Sequence, residues 1–225
     1  MGNAIGQTLP LAVGVALSPL AIVAVVLMLL TPRARVNGPL FVAGWLLGLA
    51  VVGIIVLAIA HPSGAGTNGK PATGVSLLKL LAGLLLVLAA FREWRGRPHS
   101  GDQARLPKWM GALDAFGPVK AAGAGAILSG LNPKNLILAV SAAAAIAGTG
   151  ISAGKEAGAY AVFALVGTIG VAAPVVLYFA LGDRSRRMLD ELRGWMGRNN
   201  AVIMAVLFLV IGVKLIGDAI SGFSA

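Results

Sequence analysis

A short polar stretch inside an apolar segment constrains the fold of this chain more than any other feature. The stretch Ser129-Gly130-Leu131-Asn132-Pro133-Lys134-Asn135 interrupts an apolar segment that runs from about Ala121 to Ala147. Pro133 has no backbone N–H and frees a carbonyl one turn earlier, so a helix must bend or open here. In a bilayer, the freed groups need protein or a water-filled cavity beside them. A lysine at this depth costs about 3 kcal/mol on insertion scales, which makes Lys134 a candidate functional residue.

The apolar segments of the chain predict a membrane protein. The sequence is 58% hydrophobic and 12% charged, whereas an average soluble domain has about 45–50% apolar residues. A soluble all-helical fold is disfavoured because such helices would have almost no polar face for water. Six segments are each near the ~20 residues that cross a bilayer: Gln7 to Leu30, Pro39 to Ala60, Thr73 to Phe91, Ala121 to Ala147, Ala157 to Leu181 and Asn200 to Ser221. We predict an all-α integral membrane protein with a single six-helix domain over residues 1–225.

The basic residues predict the orientation of these spans. Arginines and lysines concentrate in the loops 31–38, 92–120 and 182–199, whereas Lys70 and Lys155 lie in the loops of the opposite side. Because cytoplasmic loops carry the excess of Lys and Arg, we expect these three loops in the cytoplasm and both termini outside the cytoplasmic (inner) membrane. The first segment is long enough to span, so we expect a retained helix rather than a cleaved signal. The net charge of +10 has the same explanation, and no nucleic-acid partner is expected.

The two halves of the chain show a weak internal repeat, residues 7–91 and 121–221 around the cytoplasmic loop 92–120. Superimposing Ser18-Pro19 on Asn132-Pro133 also superimposes Val52-Gly53 on Val166-Gly167. A slightly different offset pairs Leu80-Leu81-Ala82-Gly83 with Leu209-Val210-Ile211-Gly212. Each half has three helices, so the second half enters the membrane inverted relative to the first. Both breaks lie about 12 residues into their helices, roughly 18 Å deep, and are expected to meet near the bilayer centre.

Interrupted helices at corresponding places of two inverted repeats indicate a binding site near the midplane. The substrate-binding candidates are Ser18, Pro19, Ser129, Asn132, Pro133, Lys134 and Asn135. The side-chain amides bind in either sense, and the lysine suits a carboxylate, phosphate or sulfate group. The alternative is structural: Asn132 pairs the backbone at a proline kink, Lys134 extends to water, and the serine only satisfies its own helix.

Three charged residues nearer the outer ends of the spans are candidates for gating. Lys214 and Asp218 have the i, i+4 spacing of an ion pair, and Lys79 lies inside the outer end of the third span. Structural neutralisation and extension of the lysine to water are the competing interpretations. Gly44-x-x-x-Gly48 and Gly154-x-x-x-Gly158 permit close helix contact, within the chain or in a homodimer.

Two pieces outside the spans resemble interfacial helices. Trp109, Leu113 and Phe116 share one face of a helical stretch in the third loop, and Met188 to Met196 precedes the sixth span. Simple anchoring by aromatic and basic residues and a moving gate or partner surface are both compatible with them.

The residues exclude several other classes of function. There is no cysteine, hence no thiolate metal site or thiol chemistry, and His61 and His99 stand apart from other ligands, so neither a metal nor a cofactor is expected. No motif for intramembrane proteolysis, phosphoryl transfer or a nucleotide-driven pump is present, so the chain is not expected to be an enzyme.

Six motifs are spread over nearly the whole chain: Ser18-Pro19, Leu131-Asn132-Pro133-Lys134-Asn135, Pro107-Lys108-Trp109, Leu113-Asp114, Arg198-Asn199-Asn200 and the run from Gly212 to Asp218. Together they resemble the GAP (glycolipid or peptidoglycolipid addressing protein) family of the LysE-type exporter superfamily. The resemblance implies a six-helix exporter with inverted repeats that moves envelope glycolipids or their precursors to the cell surface. Amino-acid exporters of that superfamily have a Pro-Gly-Pro type break in the first helix, where this chain has Ser18-Pro19-Leu20, and this difference disfavours amino-acid export.

Three functions therefore remain open at the level of sequence. The first is a secondary exporter or translocation protein for a cell-envelope glycolipid or related anionic, amphipathic cargo, in contact with membrane lipids. The second is a small-solute exporter, for an amino acid or an ion, with a narrow sealed cavity. The third is a non-transporting scaffold that docks a larger envelope-lipid exporter; tight packing around Lys134 would favour it.

Overall fold

The computed structural model describes residues 1–60, 73–97 and 116–223, and all of its regular secondary structure there is helical. Within these ranges, eight α-helices follow one another, with a 3-10 turn at Gly182–Arg184 before the last. They are α1 (Gly2–Ala16), α2 (Pro19–Leu29), α3 (Ala34–Ala60), α4 (Thr73–Arg95), α5 (Pro118–Gly130), α6 (Pro133–Ala147), α7 (Ala153–Leu181) and α8 (Ser185–Phe223).

The first and fourth predicted spans are each broken into two helices. α1 and α2 meet at an angle of 51°, and α5 and α6 at 63°. Pro19 and Pro133 each take the first position of the second helix, where the fixed φ suits a helix start and the missing N–H costs nothing. The breaks predicted from the two prolines are confirmed.

The length and apolarity of the helices identify a multi-pass membrane protein. Among the described residues, α3, α7 and α8 are each long and apolar enough to cross a membrane, and the two bent pairs also pass when each is taken as one span. This gives three to five candidate spans. Large apolar side chains point outward along them, as at Leu47, Ile54 and Leu165, which are 61%, 68% and 61% exposed. Such surfaces suit acyl chains rather than water.

The short helix α2 forms the centre of the structure. Nine of its side chains are buried, including Ala24, Val25 and Val26, which have no exposed surface. A helix that is apolar and buried on all sides must be covered by protein throughout. The helix break at Ser18 therefore lies inside the protein, one residue before this central helix.

Small residues set the close contacts around the broken helices. A Cβ atom on Gly44 would collide with the carbonyl of Ala122 in α5, and one on Gly170 of α7 with the carbonyl of Ala16 in α1. The predicted close contact at Gly44-x-x-x-Gly48 is thus made within the chain. Gly154, by contrast, has nothing within 4 Å of its Cβ position, so the second glycine motif makes no comparable contact there.

The last helix is longer than predicted. α8 has 39 residues, about 58 Å at ~1.5 Å per residue, against a hydrocarbon core of ~30 Å. Met188 to Met196 is its first part, continuous with the span rather than a separate interfacial helix. The piece containing Trp109 and Leu113, and the two histidines, lie outside the described residues.

Candidate functional site at the two helix breaks

The break between α1 and α2 opens a set of main-chain acceptors inside the protein. Pro19 cannot donate to the carbonyl of Val15, one turn earlier. The Ser18 hydroxyl lies 2.8 Å from that carbonyl and replaces the missing donor. The carbonyls of Gly14 and Leu17 also face the break, because the last carbonyls of a helix have no partner within it.

The side chain of Lys134, from the second half of the chain, fills this opening. Its Nζ atom donates to the carbonyls of Gly14 (2.8 Å) and Leu17 (3.0 Å) and to the Ser18 hydroxyl (2.8 Å). Three acceptors match the three N–H groups of an ammonium. A cation at the C-terminus of α1 also interacts favourably with the negative end of the helix dipole. We call this set of residues, together with Asn135, the helix-break junction.

The two asparagines of the predicted motif play different parts. Asn132 caps α6: its Oδ1 atom accepts a 3.1 Å hydrogen bond from the backbone N–H of Lys134. Asn135 joins the breaks, because its Oδ1 atom lies 3.0 Å from the Ser18 hydroxyl while its Nδ2 atom donates 2.9 Å to the carbonyl of Leu128, near the end of α5. One amide thus pairs an open carbonyl of one broken helix and bridges to the other.

The helix-break junction is closed to solvent. Ser18, Lys134 and Asn135 are 4%, 6% and 0% exposed. Oxygens of carbonyl and hydroxyl groups, rather than a carboxylate, surround the ammonium in the described residues. Because its three N–H groups are already used, Lys134 binds an external anion only by giving up a bond to α1.

The other predicted residues take no part in the hydrogen bonds of the helix-break junction. Ser129 is fully buried but donates within its own helix, to the Ala126 carbonyl at 3.1 Å, and packs against Gly48 of α3. Pro133 is exposed, and Pro19 is buried at the start of α2. Lys214 and Asp218 form the predicted ion pair in α8, with Nζ and Oδ2 2.6 Å apart and side chains 26% and 39% exposed. Lys79 is half-buried on α4.

Sequence reasoning missed the carbonyl acceptors and one link between helices. Main-chain atoms carry no residue signature, and only the proline at position 19 marks the place where carbonyls open. Tyr160 of α7 donates a 2.9 Å hydrogen bond to the Leu49 carbonyl of α3, above Gly53, where a Cβ atom would occupy the tyrosine ring. Gly53 was the available signal, since glycine in a span permits such an approach.

No cluster of three or more His, Cys, Asp or Glu side chains is placed to hold a metal ion among the residues that the structure describes. At the helix-break junction, the polar groups are instead one ammonium and the hydroxyl, amide and main-chain groups at the open ends of two broken helices, joined by hydrogen bonds.

An all-helical, multi-pass membrane fold with two broken helices joined through buried polar groups is thus the class to which this protein belongs. Residues 8–221 match the model of a family described as SfLAP: Sap, sulfolipid-1-addressing protein. The chain therefore belongs to the sulfolipid-1-addressing protein family, and the predicted relationship to a glycolipid-addressing family is confirmed. No curated protein and no solved structure shows a significant match to it.

Proposed function

We propose that this protein translocates a cell-envelope glycolipid, or a related anionic amphiphile, across the cytoplasmic membrane. The family name concerns a sulfolipid, a lipid with an anionic head. The observation that carries the proposal is the contact of the two helix breaks, where Lys134 of one half occupies the open end of α1 in the other. Broken helices whose open ends meet inside a membrane protein are typical of transport sites.

The proposal includes six spans arranged as two inverted repeats, in which α4, the third span in chain order, is added to the five candidate spans. Both halves have the same element order, a broken helix followed by two helices. The repeat pairs Gly83 of α4 with Gly212 of α8, and these two residues touch reciprocally: a Cβ on Gly83 would lie 2.8 Å from the Gly212 carbonyl, and one on Gly212 2.9 Å from the Gly83 carbonyl. Reciprocal contact of equivalent residues is expected on a two-fold axis.

The LysE-type superfamily is the wider relationship that we propose for this architecture. The excess of basic residues in loops 31–38, 92–120 and 182–199 supports a cytoplasmic location for them, with both termini outside. In this proposal the chain catalyses no chemical reaction. With this orientation, Lys79, Lys214 and Asp218 would lie near the outer ends of their spans, and the ion pair of Lys214 with Asp218 would control outward access.

In the proposed mechanism, Lys134 holds the two halves together until an anionic head competes for its ammonium. A sulfate, phosphate or carboxylate offers charged acceptors, which make stronger hydrogen bonds than the neutral carbonyls of Gly14 and Leu17. Loss of the bonds to α1 frees one half to rock against the other. The apolar tail of the cargo stays among the outward apolar side chains, so only the head crosses through protein.

Reconstituted vesicles test the proposal. Wild-type protein is expected to move a fluorescent sulfated glycolipid between leaflets, and Lys134→Met to lower the rate at least tenfold per folded molecule. Lys155→Met, the same substitution at an exposed position, serves as the matched control and keeps the wild-type rate. Wild-type rates in folded Lys134→Met protein, or no movement above that of protein-free vesicles with wild type, would overturn the proposal.

One observation favours a second function, a scaffold that docks a larger envelope-lipid exporter without transporting. The helix-break junction is tightly packed, with Lys134 only 6% exposed. Translocation by the purified protein alone distinguishes the two, since a scaffold gives none. For the small-solute exporter, we find no comparable support, because the family name concerns a lipid.

A further inference from the structure

A cavity of about 440 Å3 lies where α7 ends and α8 begins, apart from the helix-break junction. It is lined by Leu177 of α7 and by residues of the first part of α8: Ser185, Met188, Leu189, Glu191, Leu192 and Trp195. Its volume lies within the ~300–1,000 Å3 of sites that hold small organic ligands. The walls are largely apolar, so the cavity suits a hydrocarbon chain better than a solute.

The first part of α8 has the character of a helix at a membrane surface. Leu189 and Met196 are 1% and 5% exposed and attach it to the core, whereas Met188 and Trp195, which line the cavity, are each 51% exposed. α8 exceeds the thickness of the hydrocarbon core, and the arginines of its first part put the surplus length at this end, in or beyond the interfacial layer. Half-exposed tryptophan and methionine at that depth are in place to meet lipid.

Exposed arginines stand beside cavity-lining residues in the chain. Arg184 directly precedes Ser185 and Arg187 directly precedes Met188, both arginines are exposed, and the first turn of α8 contains no acidic residue. Asp190 is engaged by Arg193, with Nη1 and Oδ1 3.4 Å apart. Positive charge near a helix N-terminus is unfavourable with the helix dipole, and an anion bound at Arg184 and Arg187 beside the apolar cavity would offset it.

We propose that this cavity binds one anionic lipid of the cytoplasmic leaflet, with an acyl chain against Leu177, Leu192 and Trp195 and the phosphate or sulfate on Arg184 and Arg187. Basic pockets on the cytoplasmic side of membrane helices recognise lipid heads in this way. Glu191 accepts hydrogen bonds from hydroxyl groups, which favours a head that carries hydroxyls as well as an anion. The cytoplasmic position rests on the proposed function; the site itself does not include Lys134.

Quenching of Trp195 by lipids brominated on their acyl chains tests the site. The chain has four tryptophans, so the signal of Trp195 is the difference between wild type and Trp195→Phe. We expect brominated phosphatidylglycerol, which has a phosphate and two hydroxyls, to quench this signal at lower mole fractions than brominated phosphatidylcholine. Each arginine contributes about fivefold in affinity, the equivalent of ~1 kcal/mol.

Two variants separate the cavity from general contact with the bilayer. Arg184→Gln with Arg187→Gln is expected to remove the preference for phosphatidylglycerol. Met188→Trp, which fills the cavity, is expected to displace both lipids. Because this variant adds a tryptophan, its Trp195 signal is the difference between Met188→Trp and the double variant Met188→Trp with Trp195→Phe. Arg33→Gln with Arg35→Gln removes the same charge from another basic loop and should leave the preference intact. Equal quenching by both lipids, or the same loss in the control variant, overturns the site. Loss of quenching at a higher protein-to-lipid ratio, or on adding an amphipathic peptide, would show that protein occupies the cavity and would also overturn the lipid site.

Translocation measured in parallel separates this inference from the proposed function. Transport by wild-type protein without a preference for phosphatidylglycerol would remove the lipid site and leave the translocation proposal in place. A preference abolished by the arginine variant, in protein that moves no lipid, would support the site and overturn the translocation proposal.

Discussion

The Nζ atom of Lys134 donates a 2.8 Å hydrogen bond to the carbonyl of Gly14, 120 residues earlier in the chain. This pairing offsets two free-energy costs at once. The carbonyls freed by the break need donors, and the buried ammonium of the lysine needs acceptors in its apolar surroundings. The two broken helices therefore depend on each other for their polar groups.

Lys134→Met is expected to destabilise the protein by about 3 kcal/mol or more, because it leaves buried carbonyls of α1 without donors. Thermal and denaturant unfolding of the purified protein in one detergent measure the effect. Lys155→Met, at an exposed position, should change the unfolding free energy by no more than ~0.5 kcal/mol. Equal stability of the two variants would show that the ammonium does not hold the breaks together.

Ser18 and Asn135 are expected to be energetically coupled. Their side chains lie 3.0 Å apart and share the network with Lys134. Ser18→Ala and Asn135→Ala should each cost roughly 1–3 kcal/mol, and the double variant should deviate from the sum by ~0.5–3 kcal/mol, as contacting residues of one network do. A double-mutant cycle of unfolding free energies measures the deviation.

Ser129 provides the control for that cycle. It is buried on the side facing Gly48 and donates only to its own helix, so Ser129→Ala combined with Ser18→Ala should be additive within ~0.5 kcal/mol. Additivity of Ser18 and Asn135, with coupling of Ser18 and Ser129 instead, would contradict the arrangement of the helix-break junction.

Sequence alone predicted the helices and the breaks but not their exact reach. Apolar segments and two prolines are strong local signals, so each predicted span corresponds to a helix or a broken pair. Met188 to Met196 was predicted as a separate piece, yet α8 is continuous from Ser185. The polar residues Arg198-Asn199-Asn200 do not interrupt α8. None of them is proline, so each keeps the backbone N–H that a continuous helix needs.

At the site, three-dimensional contacts decide which of the predicted residues belong to the helix-break junction, and the sequence does not specify those contacts. The motif around Asn132 correctly pointed to polar groups at a break, and the pairing of the breaks placed Ser18 against Lys134. The direction in which each side chain points was not predictable: Ser129 faces α3, while Asn135, six residues later, faces Ser18 at the break between α1 and α2. The acceptors themselves are carbonyls, which every residue has.

Gly44→Ala is expected to destabilise the contact of α3 with α5 by ~1–3 kcal/mol, because its Cβ atom would collide with the Ala122 carbonyl. Gly123→Ala is the matched control: it has nothing within 4 Å of its Cβ position and should be neutral or stabilising by up to ~1 kcal/mol through helix propensity. Unfolding of both variants in the same detergent measures the difference. A stable Gly44→Ala protein would mean that the two helices do not approach this closely.

Ser18→Cys is expected to report whether the helix-break junction opens. The chain has no cysteine, so the single thiol can be followed without background. Ser18 is 4% exposed, so a water-soluble maleimide should react only slowly with the thiol at this position in the absence of anionic lipid. When an anionic lipid competes for Lys134 and the halves rock apart, the rate of labelling should rise at least tenfold. Val25→Cys, fully buried in α2, should stay unreactive in both conditions, and Lys155→Cys reactive in both. Labelling in vesicles that does not change with lipid would contradict alternating access and favour the scaffold function, because a scaffold keeps the breaks joined.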